Sequence, residues 1–225
     1  MLETYKALVE MSPEGIHHWK NGRDFYASDV VPLTFWASYL LDDIAGTRDN
    51  VPIMVDDNPQ SLALAQDTNV IVGMAGPSNP DGGTWVEVHN FGVTVDANTD
   101  EAAAFIEYVM NEEYVTWLGM APEGSFPIRP GPSAGSKIFI DEWGNLPIGV
   151  DRKIPINQIY SNEIIESLIN GLAVGTRWGA KEGQLPVAAK LVNSGLMNRL
   201  MMEYINGDRS AEDTVDMLNS EAAKL

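Results

Sequence analysis

The stretch 91–129 reads FGVTVDANTDEAAAFIEYVMNEEYVTWLGMAPEGSFPIR and decides which fold we expect. A β-type run at residues 92–95 precedes Asn98, a typical N-cap residue, and Glu101 follows at the spacing of a capping box. Apolar residues then recur at helical spacing: Ala102, Phe105, Ile106, Val109 and Met110. Residues 121–129 are rich in Pro and Gly. The stretch therefore predicts a strand, a capped amphipathic helix and an extended exit.

The order and spacing of these features resemble the crossover segment of the extracellular solute-binding proteins that serve sugar-type ABC importers. The residues that carry the resemblance are Gly92, Asn98, Ala102, Ala103, Phe105, Ile106, Met110, Pro127 and Arg129. Residues 25–41 resemble the strand-to-helix turn of the same family, and the segment after Tyr204 resembles its terminal helix. Members of this family are much longer than this chain. The resemblance therefore implies that the chain corresponds to the C-terminal half of such a protein.

The resemblance also implies a fold and a division into domains. The fold class would be α/β, in the two-lobed type II form of periplasmic binding proteins, of which this chain holds a partial, helix-rich C-terminal part. Residues 1–88 would belong to lobe 2, residues 89–130 to a crossover segment of lobe 1, and residues 131–225 to the helical remainder of lobe 2. We expect residues 91–129 to pack as a small region distinct from the rest.

Length and composition are those of a globular protein. The chain has 225 residues, of which 44% are hydrophobic, so it is long enough to bury a core. It has no run of about 18 or more apolar residues, which predicts no membrane span. Its first residues do not form the apolar centre of a signal peptide. We therefore expect any signal or lipid anchor to lie upstream of this sequence. Since the chain has no Cys, disulfides and thiolate metal sites are excluded.

The charge of the chain is strongly negative. It has 32 Asp and Glu against 14 Lys and Arg, a formal net charge of −18. Nucleic acid is excluded as a partner class, because binding to phosphates requires basic patches. The acidic residues are scattered singly and in pairs along the chain. A dispersed acidic surface indicates adaptation to high salt, where dissolved ions screen the repulsion among the acidic side chains. An ordinary acidic protein is the alternative.

Periodicity and turn signals predict the remaining elements. Gly46 should end the second helix, and Gly195 should lie inside the long helix that Pro186 opens. Helices are expected at 2–11, 36–45, after Ser161, at 186–205 and after Ser210 with Asp213; strands at 30–35, 51–55, 70–74 and 85–95; and a loop at 73–85.

Three tryptophans are candidates for contact with a sugar ring, because sugar sites need flat apolar surfaces together with fixed polar groups. Trp36 follows a predicted strand-to-helix turn, Trp85 follows a Gly-rich segment, and Trp178 lies between helices. The resemblance places Trp36 at a turn tryptophan that stacks on sugar in the family. The alternative for Trp36 is a core residue that closes the strand–helix junction. Trp117, beside Leu118 on its helix, is expected in the core.

Polar residues near these tryptophans complete the predicted site. Tyr39 lies one helical turn after Trp36, and Arg177 precedes Trp178. The resemblance places His89 and Asn90 where the chain crosses between lobes, although a strand-surface position explains His89 better. Asp42 is expected to be a solvated acid. The predicted ligand-binding residues are Trp36, Tyr39, Trp85, Asn90, Arg177 and Trp178.

Motifs for catalysis, cofactors and metals are lacking in the sequence. It contains no nucleophile elbow, no P-loop, no dinucleotide-binding glycine motif and no metalloprotease motif. His17 and His18 are adjacent, so they point in different directions and make a poor metal pair. We therefore expect neither a catalytic residue, a metal nor a cofactor.

The resemblance implies a non-catalytic protein outside the cell or at its surface. Such a protein captures a solute, which we expect to be a carbohydrate, in a cleft between lobes that closes about a hinge. It then delivers the sugar ligand to the membrane subunits of an ABC importer. Two alternatives remain open: a glycan-acting hydrolase with an aromatic-lined cleft and two carboxylates, and a helical interaction module without a small-molecule site.

Overall fold

The structure is a computed structural model that describes residues 2–15, 18–48, 54–55, 58–59, 62–77 and 79–224. It is an α/β protein, about 50% helical with a few small sheets. Its elements in chain order are α1 (Leu2–Glu10), α2 (Trp19–Ala27), α3 (Leu40–Ile44), β1 (Met54–Val55), β2 (Asn58–Pro59), α4 (Ala63–Asp67), β3 (Met74–Gly76), β4 (Asn79–Trp85), α5 (Thr99–Asn111), α6 (Tyr114–Leu118), α7 (Ile138–Trp143), β5 (Pro147–Ile148), β6 (Ile154–Pro155), α8 (Ile156–Ile159), α9 (Asn162–Gly171), β7 (Gly175–Thr176), α10 (Leu185–Asn193), α11 (Leu196–Asn206) and α12 (Ala211–Ala222). Two 3₁₀ turns, Pro122–Gly124 and Leu172–Val174, complete the described elements.

The chain divides into two compact units. The terminal unit joins Met1–Ile16 with Thr176–Leu225, and the central unit is His17–Gly175. Residues 89–130, predicted to be a crossover segment, lie within the central unit. The predicted boundaries at residues 88 and 130 and the two-lobed arrangement stay predictions. Among the helices that the structure describes, none has the length and apolar character needed to cross a bilayer.

The core of the central unit is built around Trp143, at the end of α7, which is fully buried. Its indole Nε1–H donates to the carbonyl oxygens of Pro122 at 3.1 Å and Ser125 at 2.9 Å. The Tyr114 hydroxyl accepts a hydrogen bond from the Ile128 N–H at 3.1 Å. These contacts hold the irregular segment after α6 on the core. Other buried members of this core are Leu40, Leu41, Ile44, Leu118, Phe139, Ile148, Ile156, Ile159, Ile164 and Leu168.

The described strands form three small sheets: β1 with β2, β5 with β6, and a sheet of order β3-β4-β7. The predicted loop at 73–85 is wrong, because β3 and β4 form an antiparallel hairpin there with a shift in register. Gly73 and Gly82 have φ of +73° and +80°. A Cβ on Gly82 would fall 2.0 Å from the Gly73 carbonyl oxygen. The glycines therefore permit the close approach of two strands, where we expected a loop.

Three predicted strands are wrong in whole or in part. Residues 30–35 are not a strand, the run at 70–74 becomes a strand only at Met74, and β4 ends at Trp85. Residues 87–95 are exposed, and no strand among the described residues pairs with them. A β-rich composition does not make a strand without a neighbour that receives its backbone hydrogen bonds. Of the strand predicted at 51–55, residues 51–53 lie outside the described residues.

Three predicted helix N-termini are confirmed with their caps. The Asn98 side chain accepts from the Glu101 N–H at 3.4 Å at the start of α5. Ser161 Oγ accepts from the Ile164 N–H at 3.4 Å before α9, and Ser210 Oγ from the Asp213 N–H at 3.0 Å before α12. Each cap satisfies a backbone donor that the helix itself leaves unpaired. The first predicted helix is confirmed as α1.

Helix α3 is shorter than predicted. It begins at Leu40, not at Trp36, and its last residue is Ile44; Gly46 terminates it after the C-cap Ala45, as predicted. Gly46 has φ of +65°, its N–H donates to the Asp43 carbonyl oxygen at 2.9 Å, and the Thr47 N–H donates to that of Asp42 at 3.1 Å. This pair of bonds is the Schellman arrangement. Every residue of α3 is buried, so the helix lies entirely inside the central unit.

The terminal unit contains α1, α10, α11 and α12. The long helix predicted at 186–205 is wrong, because Gly195 adopts φ of +63° and separates α10 from α11. The chain can therefore fold back between these two helices. Leu191, Leu196 and Leu200 form the buried cluster of this unit, against which Val187, Leu218 and Ala222 pack.

Candidate functional site

Trp36 and Tyr39 lie in the extended segment and turn that lead into α3. Their side chains are 57% and 42% exposed. The Tyr39 ring packs on the backbone of Gly124, because a Cβ on Gly124 would fall 2.0 Å from Cε1 and Cζ of that ring. Tyr39 is therefore supported on one side by the 3₁₀ turn Pro122–Gly124 and open to solvent elsewhere. Trp36 is not the core residue that the alternative reading required.

Trp85 and Asn90 also belong to the central unit. Trp85 is the last residue of β4 and is 62% exposed. Asn90 is exposed in the irregular segment that follows, and its Nδ2 donates to the Val88 carbonyl oxygen at 3.2 Å. His89 is exposed beside it. The segment therefore leaves both polar side chains accessible to a ligand, although it is not the predicted strand.

Arg177 and Trp178 belong to the terminal unit and directly follow β7. Both are exposed, and the Arg177 carbonyl oxygen accepts from the Ala180 N–H at 3.0 Å. Gly179 follows with φ of +75°, so a tight turn presents the pair. Four of the six predicted ligand-binding residues thus lie in one unit and two in the other. Their convergence on one cleft stays a prediction.

The other tryptophans have structural surroundings. Trp117 is half-buried against the central core, with ring centroids 5.5 Å from Phe91 and 5.9 Å from Tyr114. This agrees with the core position expected for it. The Arg23 guanidinium lies 5.3 Å from the centre of the Trp19 ring. Trp143, which no sequence feature distinguished, is the most deeply buried of all six.

A buried charge cluster includes residues of α3, which follows Tyr39, and of the turn on which the Tyr39 ring packs; the sequence did not predict it. Arg23, Asp42, Asp43 and Glu123 are all buried, and Arg48 is partly buried. The expectation that Asp42 is a solvated acid is wrong, because α3 has no solvent-facing side. We use the name buried charge cluster for these five residues.

Each arginine of the cluster is hydrogen-bonded to particular carboxylates. Arg23 donates from Nη1 to Asp43 at 2.8 Å, and from Nε and Nη2 to Asp24 at 3.0 and 2.9 Å. Arg48 Nε donates to Asp42 Oδ2 at 2.8 Å. In contrast, Asp42 Oδ1 and Glu123 Oε2 are buried and have no hydrogen-bond partner among the described residues.

Burial controls the protonation of these groups. It raises the pKa of Asp42 to about 7, and the negative charges of Glu123 and Asp43 add to this rise while Arg48 opposes it. Burial also raises the pKa of Glu123. The Tyr160 hydroxyl donates to the Leu41 carbonyl oxygen at 2.6 Å, and burial raises its pKa, with the charge of Asp42 adding to the effect. At least one carboxyl group of the cluster is therefore protonated in mildly acidic solution.

A carboxyl group with a pKa near neutrality is a common sign of a general acid. Asp42 is fully buried, however, and cannot touch a substrate. Among the residues that the structure describes, no group of three or more His, Cys, Asp or Glu is arranged to hold a metal ion. The cluster therefore affects the stability and conformation of the folded protein and does not contact a ligand. The exposed aromatic residues remain the candidates for ligand contact.

A shallow groove of about 410 Å³ lies in the terminal unit between α1 and α12. Its lining residues are Leu2, Glu3, Ala211, Glu212, Val215 and Asp216. None of the six predicted ligand-binding residues lines this groove. The groove gives the terminal unit an acidic, partly apolar surface, but its lining residues do not indicate a particular ligand or reaction.

The chain matches no protein-family model. No curated protein matches it, and no solved structure does. Its function is therefore argued below from the residues and their surroundings.

Proposed function

We propose that this chain forms part of a solute-binding protein that takes a carbohydrate into a cleft between two lobes and delivers it to an ABC importer. The observation that carries the proposal is the exposure of two aromatic residues, Trp36 and Tyr39, in the segment and turn before α3, where Tyr39 is supported by Gly124. The protein would act outside the cell or at its surface, without catalysing a reaction.

The chemistry of sugars favours such a surface. The C–H faces of a pyranose ring pack on flat aromatic rings, and its hydroxyl groups need fixed polar partners. Trp36, Tyr39 and Trp85 are large aromatic residues that remain exposed in a protein with a well-formed core. Aromatic side chains have few rotatable bonds, so a ligand orders them at little cost in entropy. Asn90 and Arg177 supply hydrogen-bonding groups.

The surroundings of α5 support the two-lobed form of the proposal. This helix has 13 residues and none of them is buried, although its sequence has an apolar face. Phe105 on that face is 59% exposed, whereas Ala102, Ile106, Val109 and Met110 are partly buried and Met110 packs against the central core. An amphipathic helix normally buries its apolar face against another element. We propose that residues 89–130 pack on the other lobe, as the resemblance to sugar-type solute-binding proteins implies.

Titration of tryptophan fluorescence with a panel of mono- and oligosaccharides tests the proposal in the complete receptor. We expect at least one sugar to change the emission saturably. Trp36→Ala should weaken its binding by roughly 1–3 kcal/mol, the worth of an aromatic contact. Tyr5→Ala is the matched control, because Tyr5 is an exposed aromatic residue of α1 that lies outside both the predicted site and residues 89–130.

The proposal fails if no sugar in the panel binds, or if Trp36→Ala and Tyr5→Ala have equal effects on affinity. Hydrolysis of an oligosaccharide would support a glycan-acting enzyme instead, since a binding protein returns its ligand unchanged.

A helical interaction module is the second candidate, and the exposure of Phe105 on the apolar face of α5 favours it. Such a module would bind a partner protein through α5 and would show no increase in melting temperature with any small molecule. Phe105→Ala would then weaken the complex, whereas Trp36→Ala would not.

A further inference from the structure

Two buried carboxyl groups lie on elements that are packed against each other. Asp42 belongs to α3 and Glu123 to the 3₁₀ turn Pro122–Gly124, and these two elements are in contact. Asp42 is 0% exposed and Glu123 is 4% exposed. Each has one carboxyl oxygen without a hydrogen-bond partner among the described residues. Buried oxygens of this kind are rare, because each costs the free energy of its lost hydration.

The nearby cations do not satisfy these two oxygens. Arg23 is directed to Asp43 and Asp24, and Arg48 binds the other oxygen of Asp42. Two ionised carboxylates in the protein interior also repel each other. A single proton removes both difficulties, because a protonated carboxyl group donates a hydrogen bond to an ionised one.

We propose that Asp42 and Glu123 share one proton in the folded protein, and that this proton ties the turn Pro122–Gly124 to α3 and is released when the pH rises. The same turn carries Gly124, on which the Tyr39 ring packs. Release of the proton therefore loosens the support of Tyr39. The pair acts as a pH-sensitive latch behind the exposed aromatic residues.

Charged groups on the neighbouring elements decide where the proton lies. On α2, Arg23 and Asp24 form their own ion pair, and Asp67 of α4 is exposed. Lys153, next to β6, and Arg48 favour the ionised form of Glu123. Arg48 also favours the ionised form of Asp42, but the complete burial of that side chain outweighs it, so Asp42 holds the proton.

Three more groups border the latch. Asp43, on α3 itself, is paired with Arg23 and adds negative charge that favours protonation of Asp42. The Tyr160 hydroxyl is directed to the Leu41 carbonyl oxygen, and the Arg152 guanidinium donates to that of Gly46. Neither of these two hydrogen bonds involves the unpartnered oxygens of Asp42 and Glu123.

The pH dependence follows from the pKa of Asp42, which rises from 3.8 to about 7 on folding. Between these two values the folded protein binds a proton that the unfolded chain has lost. The contribution to stability is therefore complete below about pH 4, decreases as the pH rises, and is lost above about pH 7. This direction is opposite to that of an acid whose pKa is lowered on folding, because the burial of Asp42 outweighs its ion pair with Arg48.

Carboxyl ¹³C NMR of the folded protein, followed from about pH 4 to about pH 9, tests the latch. We expect one carboxyl group to titrate near neutral pH and to be lost in Asp42→Asn. In Glu123→Gln the Asp42 signal should titrate at least about 1 pH unit lower, because the partner charge is gone. Asp141→Asn and Glu166→Gln remove exposed acids and serve as matched controls that leave the signal unchanged.

Hydrogen exchange at the Gly124 amide, which donates to the Ala121 carbonyl oxygen, gives a second measurement. Its protection, corrected for base-catalysed exchange, should fall above neutral pH in the wild type. If Asp42→Asn does not fold, the wild-type titration and Glu123→Gln still decide the matter. A carboxyl titration confined to acidic pH overturns the proposal, as does an Asp42 titration that Glu123→Gln leaves unchanged.

Discussion

Trp143 and Trp36 show how one residue type serves opposite purposes in this protein. Trp143 is fully buried and its indole N–H is shared by two carbonyl oxygens, whereas Trp36 is 57% exposed. The first residue joins α7 to the turn at Pro122. The second contributes surface that the protein does not need for its own core.

Replacement of each tryptophan with alanine should separate these purposes. Trp143→Ala leaves a cavity and two carbonyl oxygens without their donor, so it should lower the free energy of unfolding by about 3–5 kcal/mol. Trp36→Ala should change it by about 0.5 kcal/mol or less. Urea unfolding monitored by far-UV circular dichroism measures both. A larger loss of stability for Trp36→Ala would show that this residue belongs to a core.

At the residue scale, sequence reasoning identified exposed aromatic residues better than buried charges. A Gly-rich segment marks Trp85 and a position between helices marks Trp178 in the sequence itself, whereas the strand-to-helix turn predicted at Trp36 is not formed. The burial of Asp42 depends on elements distant in the chain, namely α2 and the turn at Glu123. The pairing of Asp43 with Arg23 likewise links residues 20 positions apart, so no local pattern could predict it.

At the element scale, helix starts were predictable because their caps are local. Asn98, Ser161 and Ser210 each bond to a backbone N–H three residues later, and the sequence contains the whole interaction. Strands depend on partners elsewhere in the chain. The hairpin of β3 and β4 was therefore mistaken for a loop, and residues 86–95 for a strand.

Gly195 and Gly22 offer a test of how glycine acts in helices. Gly195→Ala should lower the free energy of unfolding by about 1 kcal/mol, because alanine is strained at φ of +63°. Gly22→Ala should raise it by about 0.5–1 kcal/mol, because Gly22 lies inside α2 and its Cβ would meet no atom within 4 Å. Urea unfolding of the two variants should give opposite signs. A gain from Gly195→Ala would indicate that α10 and α11 can join into one helix.

At the scale of the whole molecule, charge is distributed in two ways. Among the described residues the buried acids are Asp42, Asp43 and Glu123, which lie in one cluster with Arg23 and Arg48. The remaining acids that the structure describes are partly or fully exposed. Composition predicted the acidic surface, but it could not reveal the buried cluster, because a count of charges does not contain their positions.

The surface charge leads to a prediction about salt. With a net charge of −18, repulsion among exposed carboxylates favours the expanded unfolded chain at low ionic strength. The Debye length falls from about 30 Å at 0.01 M salt to about 3 Å at 1 M, so added salt should remove most of this repulsion. We therefore expect the urea midpoint of unfolding to rise as KCl increases over this range.

Neutralisation of surface acids distinguishes screening from a general effect of salt on hydration. The triple variant Asp141→Asn, Glu166→Gln and Glu182→Gln removes three exposed negative charges outside the buried charge cluster. At low salt it should be more stable than the wild type, because less repulsion remains in its folded state. Its urea midpoint should also rise less with KCl, since fewer charges remain to be screened. Equal slopes for the two proteins would mean that salt acts through hydration of the surface, and a wild-type midpoint that falls with KCl would contradict adaptation to high salt.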